Sequence, residues 1–238
     1  MEASALDGKL DVPYYFARPT APVTAGIVVL HEGDGMSRQL LRLCERLAAQ
    51  GYAVVAPDLF FRTGGPGAHE DHRVQGGAVR RDQLLEDTAA ARDVLRKHGA
   101  TRVGVTGFCM GGAFTWHVAL HGEGYDAAAG FYGPGIASDL GTPRCPTLLF
   151  FGQNDPWIPA DTIAAVAAHH QDTVVYPDAG HAFMRDGSDF HVPEAAADAW
   201  ARLLTHFQKN LAPQDPQPAP SRPRAVERTN DASQGADA

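Results

Sequence analysis

The sequence predicts an α/β fold in which a mostly parallel central sheet carries helices on both faces. Short β-branched runs are apolar throughout, as in strands buried on both sides, and the stretches between them show helical apolar spacing. Segments rich in glycine and charge follow the strands directly, and in such sheets the loops at the carboxyl ends of the strands bind ligands.

Ile27–Leu30 is the first apolar run. Met36, Leu40, Leu43, Cys44, Leu47 and Ala48 follow at helical spacing, and Gly51 ends that helix. Tyr52–Ala56 reads as a strand closed by Pro57-Asp58. Leu84, Thr88, Ala91 and Leu95 form one helix face. Arg102–Thr106 is a strand, Met110–Leu120 a helix, and Ala127–Tyr132 and Thr147–Phe151 are strands. Asp161–His169 is a helix and Thr173–Tyr176 a strand. The last helix starts near Glu194 and places Trp200, Leu203, Leu204, Phe207 and Leu211 on one face.

Residues 1–211 therefore read as a single domain. From Ala212 to Ala238 the composition changes: five prolines occur and Val226 is the only large apolar residue. Such a segment buries too little apolar surface to offset its chain entropy, so 212–238 is expected to be a disordered Pro/Ala-rich tail.

The whole chain has 238 residues and a net charge of -8, from 20 Lys+Arg and 28 Asp+Glu. That balance argues against nucleic acid as a partner, because phosphate contacts need clustered basic residues. No run approaches the ~18 apolar residues of a membrane span. The start lacks the basic and apolar regions of a secretory signal. Three cysteines do not make a disulfide framework. A cytoplasmic location is expected, and a monomer, since no apolar stripe is left over once the helices are laid on the sheet.

The strongest local signal is Gly107-Phe108-Cys109-Met110-Gly111. It has the G-x-nucleophile-x-G form with cysteine as nucleophile, after a strand and before a helix. The turn is so tight that side chains flanking it would clash, which is why glycine stands at 107 and 111. Cys109 would sit at a helix N-terminus, where the dipole favours a thiolate. Cys44 and Cys145 fit packing roles.

A thiol nucleophile needs a base and a group to orient that base. On a strand-turn-helix site of this kind the chain order is nucleophile, acid, histidine. Asp155 follows the strand Thr147–Phe151, and His181 follows Thr173–Tyr176. Each alone has a plain reading, as a turn cap before Pro156 or a loop histidine. Three matching residues in the right order, each just past a strand, point to a triad of Cys109, Asp155 and His181. Acyl chemistry also needs donors for the oxyanion. The backbone N–H of Met110 is one, and the loop after Leu30 supplies the other, with Gly33 as the choice.

At these residues the chain resembles the dienelactone hydrolase family, cysteine-dependent members of the α/β-hydrolase fold. The resemblance spans about residues 6–210 and rests on LHEGDG, GYAVVAPDLF, VGVTGFCMGGAFTW, AAAGFYGPG, LLFFGQNDPWIP and AGHAFMRDG. It implies that Cys109 is the nucleophile, Asp155 the orienting acid and His181 the base. It implies that Glu32 lies near the cysteine and holds its thiol in a poorly reactive state until an anionic substrate displaces it. It implies that Arg185 pairs with a substrate carboxylate, and that a second arginine does so from the region before the Leu84–Leu95 helix. Arg73 is the nearest match, with Arg80 and Arg81 as rivals. Phe183 and Tyr132 match pocket aromatics. The HEGDG loop and the Gly- and His-rich region between Leu59 and Leu84 depart from the family pattern, which bears on the substrate more than on the reaction.

The expected activity is hydrolysis of a lactone or small ester through a thioester, and the resemblance implies a dienelactone-type substrate. A general small-ester carboxylesterase and a non-catalytic thiol protein on the same scaffold are the alternatives. His69-Glu70-Asp71-His72 lacks a helical frame and a third ligand, and no phosphate-binding glycine loop occurs, so neither metal nor cofactor is expected.

Overall fold

The computed structural model describes residues 12–65, 68 and 72–213. The expected tail lies outside the described residues from 214 onward, as does the His69-Glu70-Asp71 stretch.

Seven strands form one sheet in the order β1-β3-β2-β4-β5-β6-β7. They are β1 (Tyr14–Ala17), β2 (Ala25–Leu30), β3 (Ala53–Pro57), β4 (Arg102–Phe108), β5 (Ala127–Phe131), β6 (Thr147–Gly152) and β7 (Thr173–Tyr176). All neighbours run parallel except β1, which pairs antiparallel with β3. The sequence reading has no counterpart to β1. Its tyrosines are only half-buried at the sheet edge, so it lacks the continuous apolar signature of an interior strand. β7 is the opposite edge and is half-buried along its whole length.

The helices are α1 (Arg38–Ala48), α2 (His72–Ala78), α3 (Arg81–Lys97), α4 (Met110–His121), α5 (Ala160–His169) and α6 (Pro193–Leu211). Short α2 was not foreseen; its two glycines, Gly76 and Gly77, hide it from propensity. Ser37 caps α1 by accepting from the Leu40 N–H, and Pro193 opens α6 at a position that needs no N–H. Alternate residues of β2 serve opposite faces. Ile27 and Val29 join Leu43 and Leu47 of α1 and Leu203 and Phe207 of α6 in one core. Val28 and Leu30 join Leu84 and Leu95 of α3 and Phe114 and Val118 of α4 in the other. α4 is apolar on nearly all sides, because it lies between the sheet and its neighbours. This leaves the carboxyl ends of β2, β4, β5, β6 and β7 open along one rim. Among the described residues no helix is long and apolar enough to cross a membrane.

Candidate active site

Cys109 stands between β4 and α4 with φ 53° and ψ -120°, in a region that side-chain-bearing residues rarely adopt. Three backbone bonds hold it there. Its N–H donates to the Phe131 carbonyl at 3.0 Å, and its carbonyl accepts from Gly112 and Ala113 at 2.9 and 3.1 Å. A Cβ on Gly107 would sit 2.2 Å from the Gly111 carbonyl oxygen, and one on Gly111 would sit 2.2 Å from that of Leu30. Both clashes are with backbone, so glycine is required at each position for the elbow to close on the sheet.

The expected acid and base meet. His181 Nδ1 lies 2.7 Å from Asp155 Oδ2, and both side chains are buried. The other Asp155 oxygen accepts from the backbone N–H groups of Trp157 and Ile158 at 2.8 and 3.1 Å. The turn at Pro156 thus fixes the carboxylate, so the turn-capping and orienting roles coexist in one residue. His181 Nε2 is buried and hydrogen-bonds to no described protein atom, the Cys109 sulfur included.

The sulfur is instead held on the other side. The backbone N–H groups of Met110 and Gly33 both interact favourably with it, which brings the two expected oxyanion donors to one point. Burial and the nearby Glu32 carboxylate nevertheless push the Cys109 thiol up to about 12, with a smaller push from Asp155. The pull of the helix N-terminus toward a thiolate is therefore outweighed in this state. Desolvation and a like charge outweigh a dipole that acts only within one helical turn.

Glu32 is itself raised by burial and drawn back by Arg185, His181 and the Tyr132 hydroxyl, which donates to Oε1 at 3.4 Å. Arg185 lies 3.6 Å from Glu32 Oε2 and also forms an ion pair with Asp34. The Glu32 loop is anchored from below by His31. Its Nε2 accepts from the Leu59 N–H at 3.0 Å and its Nδ1 donates to the Glu32 carbonyl at 2.7 Å, which defines a neutral tautomer. Burial lowers the His31 pKa and so agrees with that assignment.

A cavity of about 590 Å³ opens over these groups and is lined by Cys109, His181, Glu32, Gly33, Asp34 and Arg185 on its polar side. Pro134, Pro156, Trp157, Ala182 and Phe190 line the rest. Tyr132 packs on His181 with ring centroids 5.0 Å apart and lines a small cleft shared with Glu32 and Arg185. Phe183 is fully buried behind Tyr132, at 5.4 Å between centroids, and does not line the cavity. Its place is packing. Arg80 pairs with Asp82, and Arg81 lies over the Phe114 ring at 4.7 Å; neither reaches the cavity. Arg73 falls in α2, but its side chain is outside the described set.

Sequence reasoning missed the Trp157 and Phe190 wall and the Asp34 ion pair with Arg185. Trp157 is visible in the WIP run after Asp155, yet nothing local says that its ring covers His181, at 4.3 Å between centroids. It also missed a cluster of His117, His121 and Asp139 on the far end of α4, away from the cavity. Only the four-residue histidine spacing was available as a signal there.

A cysteine-bearing elbow at the end of the central parallel strand β4, with an Asp–His pair in the loops after β6 and β7, fits the α/β-hydrolase fold. The comparisons refine that class. The profile of the Dienelactone hydrolase family matches residues 12–211, and the chain belongs to that family. A Salmonella typhimurium protein provisionally named carboxymethylenebutenolidase is 33% identical over 222 residues, covering 83% of this chain and 82% of that one. The carboxymethylenebutenolidase of Pseudomonas sp. strain P51 is 31% identical, covering 81% and 87%. A Klebsiella pneumoniae crystal structure, provisionally described as a dienelactone hydrolase, superposes with a TM-score of 0.75 at 32% identity, over 83% of this chain and 93% of that one. The protein is thus an enzyme of the hydrolase class with the α/β-hydrolase fold.

Proposed function

We propose that the enzyme opens a lactone or cleaves a small carboxylic ester with Cys109 as nucleophile. The observation that carries this reading is the convergence of Cys109, the His181–Asp155 pair and the N–H groups of Met110 and Gly33 on one cavity. In the resting state burial and the Glu32 carboxylate keep the thiol protonated, and the sulfur occupies the oxyanion site. An incoming carbonyl oxygen takes that site, and the sulfur turns toward His181 Nε2, which receives its proton. The thiolate attacks the carbonyl carbon, the two N–H groups hold the tetrahedral oxyanion, and collapse expels the alkoxide. That alkoxide takes the proton from His181 and leaves a thioester on Cys109. His181 then removes a proton from water, the hydroxide attacks the thioester, and the proton returns to the departing sulfur. Asp155 keeps the imidazole in the useful tautomer throughout.

We further infer a monomer acting on a free small molecule in the cytoplasm, without a cofactor, a reading supported by the acidic balance and the apolar faces consumed by the two cores. The test is steady-state hydrolysis of cis- and trans-dienelactone and a neutral p-nitrophenyl ester by the wild type and Cys109→Ala. Turnover that vanishes in the variant is expected. Undiminished turnover by Cys109→Ala would remove the thiol from the mechanism.

A further inference from the structure

Resting on the reading of Cys109 as nucleophile, we propose that Asp34 acts as a charge filter that turns the enzyme toward neutral esters bearing an aromatic or flat apolar group. Arg185 is the only Lys or Arg among the described residues that line the cavity. It is paired with Asp34 and lies 3.6 Å from Glu32, so two carboxylates face one guanidinium. An anionic substrate reaching for Arg185 must displace Asp34 and still meets Glu32, whereas a neutral one leaves the pair intact. The opposite wall carries the complementary chemistry. Trp157 and Phe190 are 60% and 46% exposed, unusually open for large apolar side chains, and their centroids are 6.2 Å apart. Pro134 and Pro156 extend that wall. An aromatic ring entering beside His181 would cover this surface, and such ring contacts add to simple area burial.

The test compares kcat/KM for p-nitrophenyl hydrogen glutarate, its neutral methyl ester and p-nitrophenyl phenylacetate. The wild type is expected to favour the neutral members. Asp34→Asn raises the anionic-to-neutral ratio by roughly fivefold, the scale of one partly exposed charge pair. Asp34→Glu keeps the charge and keeps the ratio. Trp157→Ala lowers the phenylacetate preference over the methyl glutarate ester by about tenfold. A wild type that favours the anion, or an Asp34→Asn ratio equal to wild type, overturns the filter. If Cys109→Ala is inactive while the ratio stays fixed, the filter fails and the nucleophile stands. If no ester turns over, the nucleophile reading fails, and the filter is read by calorimetric binding of glutarate: tighter binding to Asp34→Asn supports it and equal binding overturns it.

A separate observation carries a second inference: the geometry points to a divalent-cation site formed by His117, His121 and Asp139. The histidines lie four apart on α4 and so share a face. His121 Nε2 and His117 Nδ1 lie 3.3 and 3.8 Å from Asp139 Oδ2, and the three donor atoms fall within 4.8 Å of one another. Donors bound tetrahedrally at roughly 2.0–2.2 Å would stand about 3.3–3.6 Å apart, so small rotations suffice. The Trp116 indole N–H donates to the Asp139 carbonyl at 2.8 Å and fixes the carboxylate's backbone. The nearby Arg81 charge opposes a cation and limits affinity. Imidazole and carboxylate together suit Zn²⁺ or Ni²⁺. Calorimetric titration of untagged Cys109→Ala protein with Zn²⁺ and Ni²⁺ tests this without interference from the reactive thiol. One ion per chain, bound at least tenfold more weakly after a further His121→Ala or Asp139→Asn change, is expected. No binding below about 1 mM, or equal binding by those variants, overturns it.

Discussion

Replacing Glu32 with glutamine should make Cys109 more reactive toward an alkylating agent, although Glu32 sits at the heart of the site. The thiol stands at about 12, with burial as the main cause and Glu32 next. At pH 8 that leaves roughly one molecule in 10⁴ as thiolate. Glutamine keeps the size of Glu32 and still accepts from the Tyr132 hydroxyl, so the change removes charge and little else. Two charges roughly 5 Å apart at an effective dielectric of 20 interact by about 3 kcal/mol, equivalent to roughly 2 pKa units. Arg185 already offsets part of the Glu32 charge, so a fall of about 1–2 units is expected, and burial keeps the thiol above its ordinary value. Below the thiol pKa the alkylation rate follows the thiolate fraction. Iodoacetamide should therefore modify Glu32→Gln at Cys109 roughly 10–100 times faster than wild type at pH 8. The modified peptide is quantified by mass spectrometry from pH 7 to 11, which separates Cys109 from buried Cys44 and Cys145. An equal or slower rate in the variant would refute the reasoning: it would mean that Arg185 already cancels Glu32, and that burial alone holds the proton.

Asp155→Asn leaves His181 without its orienting carboxylate, and kcat for any ester turned over by Cys109 should fall by about 10³–10⁴-fold with the fold intact by circular dichroism. Phe207 is fully buried where a Cβ on Gly104 would fall 2.8 Å from its ring, so α6 rides directly on β4 there. Phe207→Ala should cost about 3–5 kcal/mol in guanidinium denaturation, and a cost under about 1 kcal/mol would deny that contact a role in the core. Stability should also drop in alkali. Burial raises the thiols of Cys44, Cys109 and Cys145 in the folded state, the last two to about 12 and about 11. An unfolded thiol ionises near ~8.5, so this contribution is complete below that pH and is lost as pH rises toward the folded values. With three protons released only on unfolding, the loss is about 4 kcal/mol per pH unit between roughly pH 9.5 and 10.5. Denaturation midpoints that stay flat over that range would contradict the burial of these thiols.

The strand and helix alternation was legible because the interior strands are buried along nearly their whole length and most of the helices carry an apolar face. The elbow was legible because only glycine survives a 2.2 Å approach to backbone. The Asp155 and His181 positions were legible because loops after successive parallel strands converge at one rim. β1 was not, since an edge strand needs no apolar signature. The thiol state was legible only through the resemblance, which sets Glu32 near the sulfur; the helix N-terminus, which is visible in the chain, points the other way.

By itself the sequence determined the alternation of strands and helices along the chain, the glycine-flanked turn that carries Cys109, and the positions of Asp155 and His181 just past later strands. These depend on side-chain size and polarity over a few neighbouring residues. Only the tertiary structure decided that the sulfur rests against Met110 and Gly33 rather than against His181, that Asp34 engages Arg185, and that Trp157 covers the histidine. Each of these joins loops from different strand ends. Their charges and rings interact through space, at distances set by how the whole sheet twists and packs, and no local pattern in the chain records those distances.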